Sequence, residues 1–393
     1  MGQFRFLTAG ESHGKGLVAI IEGMVAGLSI SEDYIARELK RRQAGYGRSA
    51  RMKIEQDKAE IVSGIRHGLT IGSPISLLIW NRVWTDWQEI MGVVASDNET
   101  PPLTSLRPGH ADLAGVIKYE TEDIRPILER ASARETAARV AVGAVARKFL
   151  EAFDIIIHSH TISIGKHRAK QPKTIDWQQV EKSPVRCADT RAEKAMMAAI
   201  TGAKSEGDTL GGIFEVIAAG VPVGLGSHVQ WDRRLDGQIA QALMSIHAVK
   251  GVEIGAGFSI ASVKGSKAQD VIESSPKGNA LPWQRTTNNA GGIEGGMSNG
   301  QSIVVRAVVK PIATLGKPLP SVDIRTGKKT EAHYERSDIC VVPAAGVIGE
   351  TMLAIVLANA MLEKFGGDNL KETLANYKNY ISSAYSRNRY ATS

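Results

Sequence analysis

Residues 17–30 read LVAIIEGMVAGLSI and run straight into SEDYIARELKRRQ, residues 31–43. The first part is a strand-like apolar run broken by glycine, and the second is a helical pattern that Ser31 can cap, ending near Gln43 with Gly45 just beyond. The same cadence returns twice. IFEVIAAGVPVGLG (213–226) leads through HVQWDRR into LDGQIAQALMSIHAVKG, and QSIVVRAVVKPIATLG (301–316) is followed, after a basic loop, by GETMLAIVLANAMLEKFGG (349–367). Strand runs with internal Gly or Pro breaks predict hairpin-rich antiparallel sheet with helices packed on a face, an α+β protein. No Ser/Gly or Pro linker divides the chain, so residues 1–393 are expected to form a single domain.

The composition fits a globular protein. Of 393 residues, 43% are hydrophobic, enough to bury a core, and 40 are glycine against 14 proline, which points to tight turns and close backbone approach. Lys and Arg exceed Asp and Glu by 48 to 41, a net charge of +7 that favours anionic partners: nucleic acid, phosphorylated metabolites or an acidic membrane surface. Two cysteines exclude a disulfide framework and suit a reducing compartment. MGQFRF lacks the pattern of a signal peptide, and Phe6 stands where a myristoylation motif requires Ser or Thr. The apolar stretch 341–362 contains Pro343 and Glu350 and reads as a buried helix preceded by a loop, not a membrane span. A soluble, cytoplasmic protein is expected.

The densest chemistry lies in GESHGKG, residues 10–16. Gly10, Ser12 and Gly14 satisfy GxSxG, but a nucleophile elbow needs a preceding oxyanion-hole strand and a helix directly after the serine. Only nine residues precede Gly10, and LVAIIEGMVAG on its C-terminal side is strand-like. GYGRSA (45–50) satisfies GxGxxA yet follows a helix, and GxxxxGK[ST] is absent, which argues against a dinucleotide fold or a P-loop. What remains is a set of separated basic, glycine-rich loops. Arg42, Arg48 and Arg51 surround GYGR; Arg107 and His110 lie in RPGHAD; Arg130, Ser132 and Arg134 lie in ERASAR, where Ser132 and Glu135 spell a capping box at a helix start. NNAGGIEGGMSNGQ (288–301), Lys310, and Arg336 with Asp338 complete the set. Converging, such loops would hold a small polyanion through arginine forks and close backbone N–H groups.

The alternative is a basic nucleic-acid-binding protein. That function needs a continuous basic face with stacking aromatics, and aromatics make up only 5% of the chain. His13 and His110 are the candidate proton-transfer groups, each in a glycine-flanked polar loop. His158 and His160 have strand spacing but no neighbouring carboxylate or thiol cluster, so no metal site is expected.

GESHGKGLVAIIEGMVAG, GYGRSARM, RPGHADLAGVIKY, ERASARETAARVAVGAVA, the NNAGGIEGGMSNGQ loop and RSDICVVPAAGVIGE, in this order, resemble the chorismate synthase family, over about residues 5–363. The resemblance implies a β-α-β sandwich with antiparallel sheets, usually a homotetramer. It implies conversion of 5-enolpyruvylshikimate 3-phosphate to chorismate and phosphate, the last step of the shikimate pathway, using reduced FMN without net redox change. In the family's proposed mechanism the flavin lends an electron as phosphate leaves and recovers it as the C6 hydrogen departs.

By motif, His110 would be the acid facing the departing phosphate. His13 would govern the protonation of the reduced flavin, Asp338 would help relay the C6 proton, and Ser12 would support by hydrogen bonding. FMN would meet Arg130, Ala131, Ser132, His247, Ala248, Gly295, Lys310, Pro311, Ile312, Ala313, Thr314 and Arg336. Arg48, Arg51, Arg107 and Arg134 would meet substrate. Arg42 and Arg48 match positions associated with NADPH, while the missing dinucleotide fingerprint leaves a separate flavin reductase as an alternative electron source. Two residues depart from the family pattern: His247, where members often carry Asn or Gln, and Ile339, where many carry Pro.

Overall fold

The computed structural model describes residues 4–49, 54–95, 100–275, 283–335 and 337–386. The first sheet holds β1 (Arg5–Ala9), β2 (Gly16–Glu22), β3 (Glu60–Ser63) and β4 (Ile75–Trp80), in the order β1-β2-β4-β3 with every pair antiparallel. Register sets Leu17 opposite Ile79, Ala19 opposite Leu77 and Ile21 opposite Ile75, and all six are buried. Because side chains alternate across a strand, this pairing makes one continuous apolar face.

The second sheet holds β5 (Ile156–Ile164), β6 (His167–Arg168), β7 (Gly212–Ala219), β8 (Val249–Ile254) and β9 (Ile303–Val309), in the order β8-β9-β7-β5-β6, again antiparallel. Among the described residues, eight helices bear on the core and the site. In chain order they are α1 (Glu32–Gln43), α2 (Asp112–Tyr119), α3 (Arg125–Arg130), α4 (Thr136–Glu151), α5 (Thr190–Glu206), α6 (Leu235–Met244), α7 (Val342–Phe365) and α8 (Leu370–Ser386). Helix α4 packs on β2 and β4 and also on α7, which in turn packs on β5 and β7; α1 and α6 flank the pair. The architecture is therefore α+β, a helical layer between two antiparallel sheets.

Glycines let the layers close. A Cβ on Gly143 of α4 would lie 2.8 Å from Thr351 Cβ on α7, and one on Gly349 of α7 would lie 2.6 Å from the Phe214 ring on β7. One hydrophobic cluster runs through both sheets and the helices, from Phe4 to Phe365, and a small second cluster of Leu106, Val116, Ile124 and Leu128 sits under α2 and α3. Helix α7 is long and apolar enough to cross a membrane, yet 89% of its most apolar window is buried inside the fold.

Several local expectations are met and others corrected. Ser31 caps α1, accepting from Tyr34 N–H at 3.2 Å. The broken apolar runs do not fold back as hairpins at their glycines. After β2, Met24, Val25, Leu28 and Ile30 are buried in a connecting segment, and after β7 Val221 and Leu225 do the same. Burial accounts for their apolar character, and the pairing they keep is by isolated bridges such as Ser29 with Leu69 and Gly226 with Met297. No loop occupies the start of 341–362, since α7 begins at Val342 with Pro343 in its first turn, where the missing N–H costs nothing. The capping box is half made. Ser132 Oγ accepts from Arg134 N–H at 3.3 Å over a 3-10 turn, Ala133–Glu135, while the Glu135 carboxylate turns to Thr8 Oγ1 (2.7 Å) and Arg139.

Candidate active site

His13 lies in the loop joining β1 to β2. Gly10 makes this loop tight, with φ at 102° and no room for a Cβ, which would fall 2.9 Å from Leu17 Cα. Glu129, at the end of α3 and only 1% exposed, holds His13 twice: its carboxylate accepts from the His13 backbone N–H at 2.7 Å and meets Nδ1 at 2.8 Å. The Glu129 carbonyl also accepts from Ser12 N–H at 3.1 Å. The imidazole stacks on Trp87, with ring centroids 3.9 Å apart, and the Arg125 guanidinium covers Trp87. Ser132 Oγ lies 3.2 Å from Ser12 Oγ, and Arg130 donates to the carbonyls of Gly10 (2.9 Å) and Thr8 (3.0 Å). The ERASAR segment thus buttresses the GESHG loop.

A buried ionic frame lies behind that loop. Arg134 binds Asp57 (2.5 Å) and donates to Asn81 Oδ1 (2.9 Å), while the Asn81 amide donates to the carbonyls of Gly14 (2.7 Å) and Glu11 (3.1 Å). Arg42 binds the other Asp57 oxygen at 2.7 Å and Thr136 Oγ1 at 3.2 Å. Burial would raise the Asp57 carboxyl, but the charges of Arg42 and Arg134 win and hold it below the usual carboxylate range. Arg42 itself is lowered, by burial first and then by its neighbours Arg134 and Arg48, against the pull of Asp57.

His110 occupies a second wall. Its loop is fixed by Arg107, which clamps Asp112 with two 2.8 Å bonds, and by Lys310, whose Nζ donates to the Gly109 carbonyl at 2.6 Å. Lys310 N–H in turn donates to the Ala248 carbonyl at 2.9 Å, bringing residues 247–248 and 310–314 beside the histidine. Burial pushes His110 down to about 4, with Arg107, Lys310 and His247 adding to the fall and Asp112 opposing it. His247 is lowered as well, by burial and by Arg139 and Arg130, against the charge of Glu135. Its Nδ1 is buried with no hydrogen-bond partner among the described residues.

Asp338 forms the third wall. It pairs with Arg48 at 2.9 Å and accepts from Ser49 N–H at 2.6 Å. Ile339 N–H donates to the Gly47 carbonyl at 2.8 Å, a bond that a proline there could not make. Ser337 Oγ donates to the Thr314 carbonyl at 2.9 Å, which joins this wall to the 310–314 segment.

The loops named from the sequence, the 288–301 loop excepted, are linked through a chain of direct bonds, but their arginines divide. Arg42, Arg107 and Arg134 are buried and committed to internal carboxylates, so in this conformation they build the walls instead of presenting free guanidinium forks. Arg134 accordingly does not join Arg130 in an anion site at the helix start. Gly295 lies in a separate hairpin of Ile293–Glu294 with Met297–Ser298, and the next residue, Gly296, packs on Arg234 and accepts from Leu235 N–H. Arg51 and Arg336 lie outside the described residues.

The family model for chorismate synthase matches residues 4–362. The chain belongs to the chorismate synthase family. It is 51% identical to the chorismate synthase of Streptomyces avermitilis, over 97% of this chain and 98% of that one. It is 54% identical to that of Solibacter usitatus, over 96% and 98% respectively. A solved structure described as chorismate synthase superposes with a TM-score of 0.79 at 45% identity, covering 98% of this chain and 99% of the other.

Family motifs point to the loops, but not to the acids that organise them. Glu129, Asp57, Asp112 and Asn81 escape a reading of the motifs, although Glu129 directly precedes ERASAR's first arginine and Asp112 closes RPGHAD. An acid embedded in a basic motif is the available signal.

Proposed function

We propose that this chain catalyses the anti-1,4-elimination of phosphate from 5-enolpyruvylshikimate 3-phosphate, giving chorismate and inorganic phosphate, the last step of the shikimate pathway, with reduced FMN required and no net redox change. The observation that carries the reading is the setting of His110: a buried imidazole walled by Arg107, Lys310 and His247, which come from three separate segments. A departing phosphate monoester needs positive charge, here from Lys310, and one proton donor.

The residues suit a flavin phosphate as well. His247 Nδ1 is a buried polar atom without a partner among the described residues, and Lys310 and Arg130 bring positive charge to the same region. Arg130, Ala131, Ser132, His247, Ala248 and residues 310–314 would hold FMN, with Gly295 and Arg336 carried by family motif alone. Bound there, a reduced flavin would supply the electron that starts phosphate departure and would recover it as the C6 hydrogen leaves, a hydrogen with no adjacent carbonyl to acidify it.

The chain's own groups then have defined tasks. Arg48, and by motif Arg51, orient the substrate's anionic groups. His110 delivers a proton to the departing phosphate. Asp338, steadied by Arg48 and Ser49, takes part in passing on the proton lost from C6, and His13 controls protonation on the flavin side. The internal engagement of Arg42 speaks against a nicotinamide nucleotide bound through it and favours a separate reductase as electron source. A cytoplasmic homotetramer formed from a single-domain chain completes the proposal.

The test is phosphate release. Purified protein with photoreduced FMN and substrate, oxygen excluded, should liberate one phosphate per chorismate. No turnover, together with salt-sensitive binding to a generic oligonucleotide, would establish the nucleic-acid alternative instead.

A further inference from the structure

Neither Glu129 nor Trp87 belongs to the loops that carry the family motifs' acid and base groups, yet together they fix the His13 ring. Glu129 is 1% exposed and spends both carboxylate oxygens on one residue: Oε2 takes the His13 backbone N–H at 2.7 Å, and Oε1 meets Nδ1 at 2.8 Å. Trp87 stacks on the ring at 3.9 Å with an interplanar angle of 15°, so the ring can neither flip nor tilt without losing two contacts. An ionised carboxylate offers only acceptors. Nδ1 must therefore carry the proton, which puts the neutral imidazole's lone pair on Nε2.

We infer that Glu129 is the positioning residue for His13: it dictates the Nδ1–H tautomer, and Trp87 holds the ring plane, so that the lone pair of the neutral ring lies on Nε2. This rests on the function proposed above, in which His13 exchanges a proton during turnover.

Glutamine at 129 makes the inference falsifiable, because an amide has one acceptor oxygen where the carboxylate has two. If that oxygen keeps the backbone N–H of His13, the NH₂ faces Nδ1, which must become the acceptor and move its proton to Nε2. The tautomer is read directly from imidazole ¹⁵N shifts of the folded, flavin-free protein, with the His13 signal assigned by its loss in His13→Asn. The wild type should show Nδ1–H. E129Q should show Nε2–H, with kcat lowered about 10²-fold, the KM for substrate within about twofold and flavin affinity retained. Glu129→Asp should recover part of kcat together with the Nδ1–H signal. An Nε2–H signal in the wild type, which needs no variant to fold, overturns the inference, and so does wild-type kcat in a folded E129Q with a flipped tautomer. A wild-type protein that releases no phosphate would sink the proposed reaction while leaving the tautomer measurement intact.

Discussion

At the scale of the residue, His110 is held neutral before substrate arrives. Burial and the charge of Arg107 push it down to about 4, so at about pH 6 the free enzyme's imidazole is uncharged, with one N–H and one lone pair, whereas an ordinary histidine would be substantially charged. A phosphate dianion brought against it reverses the balance, because a nearby negative charge favours the imidazolium. Substrate binding should therefore take up a proton between the free and bound values, and calorimetric titration in buffers of differing ionisation heat should show uptake that disappears in His110→Asn. Equal proton uptake in the two proteins would remove His110 as the acid. Arg48 is the second residue to probe. Its pairing with Asp338 links substrate-binding charge to the proposed proton relay, so Arg48→Ala should raise the substrate KM roughly tenfold, about 1.4 kcal/mol, while flavin affinity measured by fluorescence titration stays near wild type. Both positions stand out in the sequence as a histidine and an arginine in glycine-rich loops, and the structure gives Arg48 an ion pair with Asp338 that the sequence does not announce. The inward turn of Arg42, Arg107 and Arg134 is not legible there, because a guanidinium committed to a carboxylate, whether five residues away as for Arg107 or 77 as for Arg134, looks the same in one dimension as one facing a ligand.

At the scale of the element, the alternation of apolar residues reveals the strands, and their glycine breaks mislead only about where the chain turns. Gly23 and Gly27 read as breaks within sheet; they serve a buried connection that keeps only short backbone pairing to residues 68–70, so burial more than a strand partner makes the segment apolar. Gly143 shows the opposite case, a glycine inside a helix that propensity counts as a cost and packing requires. Its absent Cβ lets α4 press on Thr351 of α7, and added volume there would meet the Thr351 Cα at 3.0 Å as well as its side chain. Gly143→Ala gains helix propensity yet overpacks the crossing, a net loss of about 1–3 kcal/mol. Urea unfolding should show a lowered midpoint with an unchanged slope; a stabilised variant would mean that the two helices part easily.

At the scale of the whole molecule, the layers are joined by charge as well as by apolar packing. Glu350, 1% exposed in the middle of α7, binds Arg41 of α1 (2.7 Å), Arg147 of α4 (2.5 Å) and Arg186 (3.2 Å), and accepts from Ser159 Oγ of β5 at 2.7 Å. Glu181 bridges Arg41 and Arg186 from outside. In the sequence this network is visible only as one acid inside an apolar run, because the three arginines that answer it lie more than a hundred residues away. Burial alone would raise the Glu350 carboxyl, but the charges of Arg41, Arg147 and Arg186 overcome it and hold the group well below its ordinary 4.5; Glu181 is likewise pushed down to about 2, its bonds to Arg186 and Arg41 outweighing burial. A carboxyl lowered in the folded state stabilises the fold fully above its unfolded value, and that contribution is lost as pH falls below it toward the folded value. The unfolding free energy should thus hold steady down to about pH 5 and then drop steadily toward pH 2. Glu350→Gln should flatten that slope by removing one titrating group. Glu350→Ala should cost about 3–5 kcal/mol at neutral pH, since three buried guanidinium groups would lose their shared counter-charge. Denaturant titrations of the three proteins between pH 2 and 8 decide the matter: if Glu350→Gln keeps the wild-type slope, the acid sensitivity belongs to other carboxylates, and the layers are held by apolar packing alone.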